Sequence, residues 1–350
     1  MAQTHIVGCI LGTAVGDAIG LPYEGLSRRR ATKLLEPPDR YRLFFGRGMV
    51  SDDTEHTCMV AESLIESGAA PDTFGRSLGW RLRIWLLCVP AGIGLATLRS
   101  TMRLWMGIPP ERSGVFSAGN GPAMRAALLG AAFDDRQTLR QFVRVSSRIT
   151  HTDPKAELGA FAVALATQMA RQHGTVSPAD FLEQLRSTLD GEGDELLALI
   201  TAAATSVFDG QSTESFADSL GIVNGVTGYV YHSVPVAIHA WFLHPRDFRS
   251  AVTSVICCGG DTDSTAAIVG GIVGCAVGKD NIPKEWLSGL FEWPRSVTWM
   301  EELGIRLDVA LNSNDKPQQL RLPLWGLLPR NLFFLFVVLY HGIRRFFPPY

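Results

Sequence analysis

The stretch IVGCILGTAVGDAIG, residues 6–20, is apolar and places glycine at positions 8, 12, 16 and 20. A spacing of four keeps these glycines on one face of an α-helix, where another backbone can approach closely. Each glycine lowers helix propensity by about 1 kcal/mol, so close packing must offset that loss. The stretch therefore predicts a central helix with one smooth face.

A second apolar stretch repeats this spacing, with Ala266, Gly270, Gly274 and Gly278. We expect the two helices to pack against each other by their smooth faces. In lipid such faces are typical of membrane helices. Asp17 and the brevity of both apolar runs favour a soluble core instead.

The second helix begins within CGGDTDSTAA, residues 258–267, where two carboxylates form an Asp-x-Asp pattern. A helix N-terminus favours anions through its dipole and free N–H groups, so one acid could serve only as a cap. Asp261 and Asp263, with Ser264 and Thr265, exceed what capping needs. Oxygen ligands at this density suit Mg²⁺ or Mn²⁺. A cap and a metal site both remain open from this stretch alone.

Two further acidic segments lie beside glycine at a helix end or start. Glu24 follows Gly20 in a turn-rich exit from the first helix, and Ser51, Asp52 and Asp53 precede an apolar helical pattern. If the helices converge, the carboxylates repel one another and their pKa values rise. Divalent cations would hold such a set together, and two metal ions could share bridging carboxylates. We therefore predict one metal site built from distant segments.

Three other polar features carry weaker signals. The glycine-rich turn from Ser117 to Pro122 is either a tight turn that caps a helix or a place where backbone N–H groups approach a phosphate or ribose. We interpret Asp17 as a structural acid that binds N–H groups near the site. His56 has the pattern of a helix-surface histidine and is left out of the ligand set.

Composition argues against several classes of protein. A formal net charge of -2 provides no basic footprint for nucleic acid. The six cysteines lie in apolar segments without a Cys-x-x-Cys pair, which predicts buried thiols in a reducing compartment and no cysteine-bound zinc. The N-terminus lacks a basic region and a cleavage site, so we expect no secretory signal and a cytoplasmic location.

The fold prediction is an all-α protein, a compact orthogonal bundle of about a dozen helices. No segment alternates with period two over a sustained length, and no Rossmann glycine fingerprint follows a strand pattern. Residues 1–311 are predicted as one domain, and residues 312–350 as a linker and an apolar tail. Residues 28–47 are polar and predicted as irregular surface.

The tail leaves three interpretations open. Residues 332–340 are strongly apolar, but Arg330 and Asn331 interrupt the run, and a membrane span needs about 20 apolar residues. Residues 332–347 could form a helix packed on the protein or a partner, an anchor on a membrane surface, or a span.

The ordered set of motifs resembles the ADP-ribosylglycohydrolase family, and the resemblance covers roughly residues 5–305. Its motifs are Gly16–Gly20 with Glu24, Ser51–Thr54, Ser117–Gly121 with Met124 and Arg125, Thr150–His151, Gly228–Val230 and Gly259–Thr265. The resemblance implies the family's all-α fold with a dinuclear Mg²⁺ site, Mn²⁺ being possible. Each motif is modest alone, and the order makes the set specific.

The resemblance also implies roles for individual residues. The metal ligands would be Ser51, Asp52, Asp53, Asp261, Asp263 and Ser264. Glu24 would act in acid/base catalysis, with Asp53 and Asp261 as the other catalytic groups. The substrate would be held by Ser117, Gly119, Asn120, Gly121, His151 and Tyr229, with the glycine turn on the diphosphate and distal ribose.

The implied reaction cleaves the C1″ glycosidic bond of an ADP-ribosylated protein side chain, or of a small ADP-ribosyl adduct, and releases ADP-ribose. Two alternatives belong to other classes. One is a non-enzymatic, crystallin-like structural or ADP-ribose-binding protein of the same fold. The other is a general two-metal phosphohydrolase.

Overall fold

The computed structural model describes residues 2–35, 37–68, 70–189, 191–313, 318 and 320–347, with side chains from His5 onward. Residues 314–317, the centre of the predicted linker, lie outside the described residues.

Eighteen α-helices build the described chain. They are α1 (Ala2–Gly20), α2 (Arg28–Leu34), α3 (Asp52–Ser67), α4 (Pro71–Leu87), α5 (Leu95–Trp105), α6 (Pro110–Ser113), α7 (Ala127–Ala132), α8 (Arg136–Arg148), α9 (Pro154–His173), α10 (Pro178–Leu189), α11 (Asp194–Phe208), α12 (Thr213–Ser219), α13 (Val230–Leu243), α14 (Phe248–Cys257), α15 (Thr262–Val277), α16 (Lys284–Gly289), α17 (Val297–Asn312) and α18 (Leu324–Arg344). Short 3-10 turns span Leu21–Tyr23, Ala123–Arg125 and Lys279–Asn281. In the described ranges no β-strand forms and only isolated bridges pair loop residues, which confirms the all-α prediction.

The glycine faces of α1 and α15 pack directly on each other. A Cβ atom added at Gly8, Gly12 or Gly16 would overlap a backbone oxygen of α15, at Gly274, Gly270 and Ala266 respectively. The pairing runs in opposite directions along the two helices, so the helices are antiparallel. The predicted close packing of smooth faces is thus confirmed.

The antiparallel pair also explains where the acidic segments meet. The last residue of α1, Gly20, lies against Thr262 at the first turn of α15, and the Thr262 hydroxyl donates to the Gly20 carbonyl oxygen at 2.9 Å. The exit loop of α1 and the acidic start of α15 therefore share one end of the pair. Helix α3, which contacts both α1 and α15, brings its own N-terminus to that region.

Helix α18 packs one face on the domain. Leu327, Phe334 and Val337 are buried, and Phe334 and Val337 join an apolar cluster with Leu21 and Met49. Helix α18 therefore packs on the rest of the protein, as the first of the three interpretations of the tail describes.

Polar contacts fix the same face of α18. The guanidinium of Arg330 forms an ion pair with Glu292 at 2.5 Å and donates to the carbonyl oxygen of Val50 at 2.6 Å. Asn331 donates to the Cys88 carbonyl oxygen at 2.9 Å. The two residues that interrupt the apolar run in sequence are therefore its buried anchor points.

Three local predictions were wrong. Residues 28–34 form α2 rather than irregular surface, because Arg28 reaches the Cys258 carbonyl oxygen at 3.1 Å and Asp218 at 2.7 Å. Cys257 is exposed while the other five cysteines are buried. His56 is buried rather than on the surface.

Candidate active site

The three acidic segments converge on one cavity of about 510 Å³. Its wall includes Glu24 from the exit of α1, Asp52 and Asp53 from α3, and Asp261 and Asp263 from the start of α15. Ser264 also lines it, whereas Ser51 lies behind Asp53. A larger open groove beside α11, about 650 Å³, brings no such cluster together, since its two carboxylates, Asp194 and Asp209, lie at opposite ends of that helix.

Asp53 lies at the centre of the acidic wall. Its Oδ2 atom accepts hydrogen bonds from the Ser51 hydroxyl at 3.0 Å and from the Ser264 hydroxyl at 3.3 Å. Among the described residues, its buried Oδ1 atom has no hydrogen-bond partner. A buried carboxylate oxygen without a partner is costly in a folded protein, so this atom points to a missing ligand.

Asp17 adds a carboxylate behind this wall. It accepts hydrogen bonds from the backbone N–H groups of Ser51 and Thr54, and from the Thr54 hydroxyl at 2.5 Å. The geometry agrees with the interpretation of Asp17 as an acid that holds N–H groups, here those at the start of α3. One oxygen each of Asp17, Asp53 and Asp263 lie within 4.8 Å of one another, so the three carboxylates could share a metal ion.

Burial and mutual repulsion raise the pKa values of these acids. Burial raises the pKa of Asp17 to about 7, opposed by the hydrogen bonds from Thr54 and Ser51. For Asp53 and Asp263 burial again has the largest effect on the pKa, which rises well above its usual range, and the neighbouring carboxylates add to it. The pKa of Asp52 rises well above its usual range for the same reasons.

Glu24 lies at the mouth of the cavity on an exposed loop. Burial of the Glu24 carboxyl among the residues that line the cavity, and then the negative charge of Asp261, raise the pKa of Glu24. The positive charge of Arg345 lowers it. Arg345 follows the last residue of α18 and holds this loop by donating to the backbone oxygens of Glu24 at 2.8 Å and of Pro22 at 3.1 Å.

The glycine-rich turn also lines the cavity and adjoins the acidic residues. Asn120 donates through its Nδ2 atom to Asp261 Oδ2 at 2.7 Å, and its backbone N–H donates to the Gly228 carbonyl oxygen at 2.9 Å. A Cβ atom at Gly119 or Gly121 would press on the ring of His151, at 3.0 and 2.9 Å. Glycine at both positions therefore lets the imidazole line the cavity.

A buried basic group supports His151. Arg125 donates to the Thr150 hydroxyl at 2.8 Å, and His151 Nδ1 lies 2.9 Å from that hydroxyl. Burial, and then the charge of Arg125, lower the pKa of His151 to about 3, so its ring is neutral at physiological pH. His56 contacts Arg125 at 3.3 Å and the Trp85 ring, which places it in the core beside the site rather than among the cavity-lining residues.

The sequence prediction and the cavity wall differ at a few positions. Ser117 lines the cavity, whereas Tyr229 lies next to it and its hydroxyl accepts from Lys155 at 3.0 Å. Gly92, Leu95 and Thr97, from the turn into α5, line the wall and were not predicted. Only the turn signal of two nearby glycines marks that segment in the sequence.

The donor set fits hard divalent cations. Every candidate ligand is a carboxylate or hydroxyl oxygen, Asp53 Oδ1 lacks a partner, and the clustered acids repel one another. Mg²⁺ and Mn²⁺ prefer such oxygens. The buried aspartate cluster could therefore hold a metal ion.

Comparison with known proteins agrees with this geometry. The family model described as ADP-ribosylglycohydrolase matches residues 2–317. An uncharacterized protein of Archaeoglobus fulgidus is 34% identical over 306 residues, covering 85% of this chain and 94% of its own length. The ADP-ribosyl-[dinitrogen reductase] glycohydrolase of Rhodospirillum rubrum is 26% identical over 298 residues, covering 81% and 89%.

Two further proteins are similar over most of their length. The ADP-ribosylhydrolase ARH3 of Gallus gallus is 28% identical over 330 residues, with 80% of this chain and 87% of its own covered. A solved structure titled "ADP-ribosylglycohydrolase-related protein complex" superposes with a TM-score of 0.67 at 25% identity, covering 89% of this chain and 99% of that one. With a family model that matches nearly its whole length, this chain belongs to the ADP-ribosylglycohydrolase family.

Proposed function

We propose that this protein is a dinuclear-metal ADP-ribosylglycohydrolase that cleaves the C1″ glycosidic bond of an ADP-ribosylated protein side chain, or of a related adduct. One observation supports it most. Carboxylates from three distant segments line a cavity that is also lined by a glycine turn with Asn120 and a neutral His151. An acidic wall suits metals and ribose hydroxyls, and a glycine turn suits a diphosphate.

Two divalent cations, Mg²⁺ or Mn²⁺, held by Ser51, Asp52, Asp53, Asp261, Asp263 and Ser264, would supply Lewis-acid polarisation of a water and of the ribose hydroxyls. The protein contributes the positions of these groups. The Ser51 and Ser264 hydroxyls hold Asp53, and the Asn120 amide holds Asp261.

Glu24 is the residue proposed to move the proton. A carboxyl whose pKa is raised above its usual value is better suited to general acid/base work than an unperturbed one. In the hydrolysis, the bond from C1″ to the leaving atom breaks with its electron pair on that atom, and a water oxygen bonds to C1″. Glu24 takes the proton that the water loses and passes it to the leaving atom, so the products are ADP-ribose and the free side chain, and Glu24 returns to its starting state.

The glycine wall is proposed to orient the rest of the substrate. Because His151 is neutral, its ring can exchange hydrogen bonds with ribose hydroxyls without adding a charge next to the acids. Glycine at positions 119 and 121 lets the His151 ring pack against the turn, so the imidazole and the turn form one surface, on which the diphosphate is proposed to lie. This wall would give affinity for ADP-ribose whatever group is attached to C1″.

The test is release of ADP-ribose from a panel of arginine-, serine- and nucleic-acid-linked ADP-ribose and small adducts, with Mg²⁺ or Mn²⁺. The wild-type protein should release ADP-ribose from at least one linkage. Asp53→Asn and Glu24→Gln should each lose at least about 100-fold in turnover, as expected when a metal ligand or general acid/base is removed.

The matched control is Asp280→Asn, since Asp280 is an exposed acid just beyond the far end of α15. It should retain wild-type turnover. Binding of ADP-ribose without any turnover would favour the non-enzymatic alternative, and release of phosphate would favour a phosphohydrolase.

A further inference from the structure

Helix α18 carries apolar side chains on two opposite faces, and the described residues of the protein cover only one of these faces. The buried face carries Leu327, Arg330, Asn331, Phe334 and Val337. The exposed stripe, at intervals of three or four, is formed by Trp325, Leu328, Leu332, Phe336, Leu339 and Ile343. At about 100° per residue the two sets point to opposite sides of the helix. Phe336 alone leaves 68% of its surface open to solvent.

The exposed stripe continues onto neighbouring loops. Phe333 of α18 contacts Phe44 edge-on at 5.1 Å, and Trp325 lies 5.3 Å from Trp293. Phe44 in turn contacts Phe45, which is 94% exposed at the tip of a tight turn and has a φ of 46°. Exposed apolar patches of this kind mark interaction sites in soluble proteins.

The charges that α18 and its flanking segments contribute have one sign. Residues 316–350 contain no Asp or Glu, and Arg321 precedes α18, while Arg344 ends it and Arg345 follows it. Arg30 of α2 lies beside this end and donates to the Arg345 carbonyl oxygen at 3.0 Å. A symmetric second copy would bring arginines against arginines. An anionic lipid headgroup layer complements this pattern.

We propose that α18 docks the protein on an anionic membrane surface, with its exposed stripe among the upper acyl chains and the exposed Arg321 and Arg344 on the lipid phosphates. A helix with aromatic and aliphatic residues on its outer face and basic residues at its ends suits this interfacial position. Trp325 and Tyr340, both exposed near opposite ends of the helix, fit the aromatic belt at a bilayer interface.

The helix lies on the bilayer and does not cross it. Its length and composition would allow a crossing. A crossing would have to separate Arg330 from Glu292 and Val50, and Asn331 from Cys88, and carry these groups into hydrocarbon. Such a transfer is costly, whereas the interfacial position leaves every one of these contacts in place.

The experiment is flotation of the intact protein with vesicles of phosphatidylcholine alone and with added phosphatidylglycerol. We expect flotation with the anionic vesicles, at least about tenfold weaker binding to the neutral ones, and release by high salt. The double variant Phe336→Glu/Ile343→Glu should lose at least about tenfold in binding to anionic vesicles.

The control is Phe208→Glu on α11, which replaces a phenylalanine that is 91% exposed outside the patch. It should bind vesicles like the wild type. Circular dichroism and thermal melting should show all variants folded. No flotation, equal flotation of the double variant, retention after an alkaline carbonate wash, or a dimer that buries the stripe in place of vesicle binding would each overturn the proposal.

Discussion

Helices α1 and α18 are similar in length and hydropathy, but α1 is buried in the protein and most of α18 is exposed to solvent. Each is long and apolar enough to cross a membrane by length and composition, yet the window in α1 is 100% buried and that in α18 is 28% buried. The difference lies in residue size. Glycine every four residues lets α1 take another backbone along its length, whereas the outer face of α18 carries Trp, Phe and Leu side chains. Apolar content alone therefore does not decide which helix becomes the core.

The largest expected effect is at the glycine seam between α1 and α15. Gly16→Leu places a side chain on the backbone of Ala266, where nothing flexible can yield. We expect a loss of more than about 4 kcal/mol in the free energy of unfolding, or no soluble protein. Urea denaturation and soluble yield measure it.

The matched control is Gly342→Ala in α18. A Cβ atom there meets nothing within 4 Å, so the variant should gain about 0.5–1 kcal/mol from helix propensity. Equal changes in the free energy of unfolding for the two variants would show that close backbone packing does not distinguish α1 from α18.

The second effect tests whether α18 is held by its polar anchor. Burial raises the pKa of Glu292, and Arg330 opposes this as its ion-pair partner. Arg330→Met leaves the carboxylate buried without its ion-pair partner, with the Val50 N–H still donating to it at 2.8 Å, so we expect a loss of about 3–5 kcal/mol in urea denaturation. Arg330→Met/Glu292→Gln should recover most of that loss. A neutral single variant would mean that α18 is not docked in solution.

The third effect concerns the acids that the α1–α15 pair brings together. Their pKa values are raised on folding, so the folded metal-free protein binds more protons than the unfolded chain, and its stability should fall as pH rises from about 4 through the folded pKa, about 7 for Asp17. Mg²⁺ or Mn²⁺ at a hundredfold excess over Kd should restore about 2.7 kcal/mol.

Thermal melting across pH, with and without the cation, measures this linkage. The cation-induced rise in Tm should be larger at pH 8 than at pH 5, because the ligands must be deprotonated. Asp263→Asn should lose the rise, while Asp280→Asn at the other end of α15 should keep it. A cation effect independent of pH would contradict the proposed ligands.

The smallest stability effect is at the end of α18. Arg345→Met removes the hydrogen bonds to the backbone oxygens of Pro22 and Glu24, at a cost of about 1 kcal/mol because the site is partly exposed. Arg345 also lowers the pKa of Glu24, so its removal should raise that pKa. The part of the pH–activity profile that Glu24 is proposed to set should then move to higher pH. Arg344→Met is the neighbouring control. An unchanged pH–activity profile in Arg345→Met would show that the residue after α18 does not influence the Glu24 carboxyl.

The glycine spacing and the acidic helix starts made the central pair and the meeting of three segments predictable, because both signals are local and periodic. Partners far away in the chain were not predictable. Arg330 interrupts an apolar run in the sequence, and only the folded position of Glu292 makes it an anchor. Likewise α2 has no apolar period, and His56 is buried because Arg125 and Trp85 surround it. The turn at Gly92 lines the cavity only because the fold brings it there, and its local sequence does not show this position.

Two polar contacts, from Thr262 to the Gly20 carbonyl oxygen and between His5 Nδ1 and the Cys275 carbonyl oxygen at 2.7 Å, favour one alignment of the α1–α15 seam. Sliding one helix by four residues would keep most small residues face to face, so the seam alone permits several alignments. Such a slide moves Asp263 by about 6 Å along the axis, away from Asp53. A polar contact at each end of an otherwise smooth surface thus favours the alignment that sets the separation between the carboxylates.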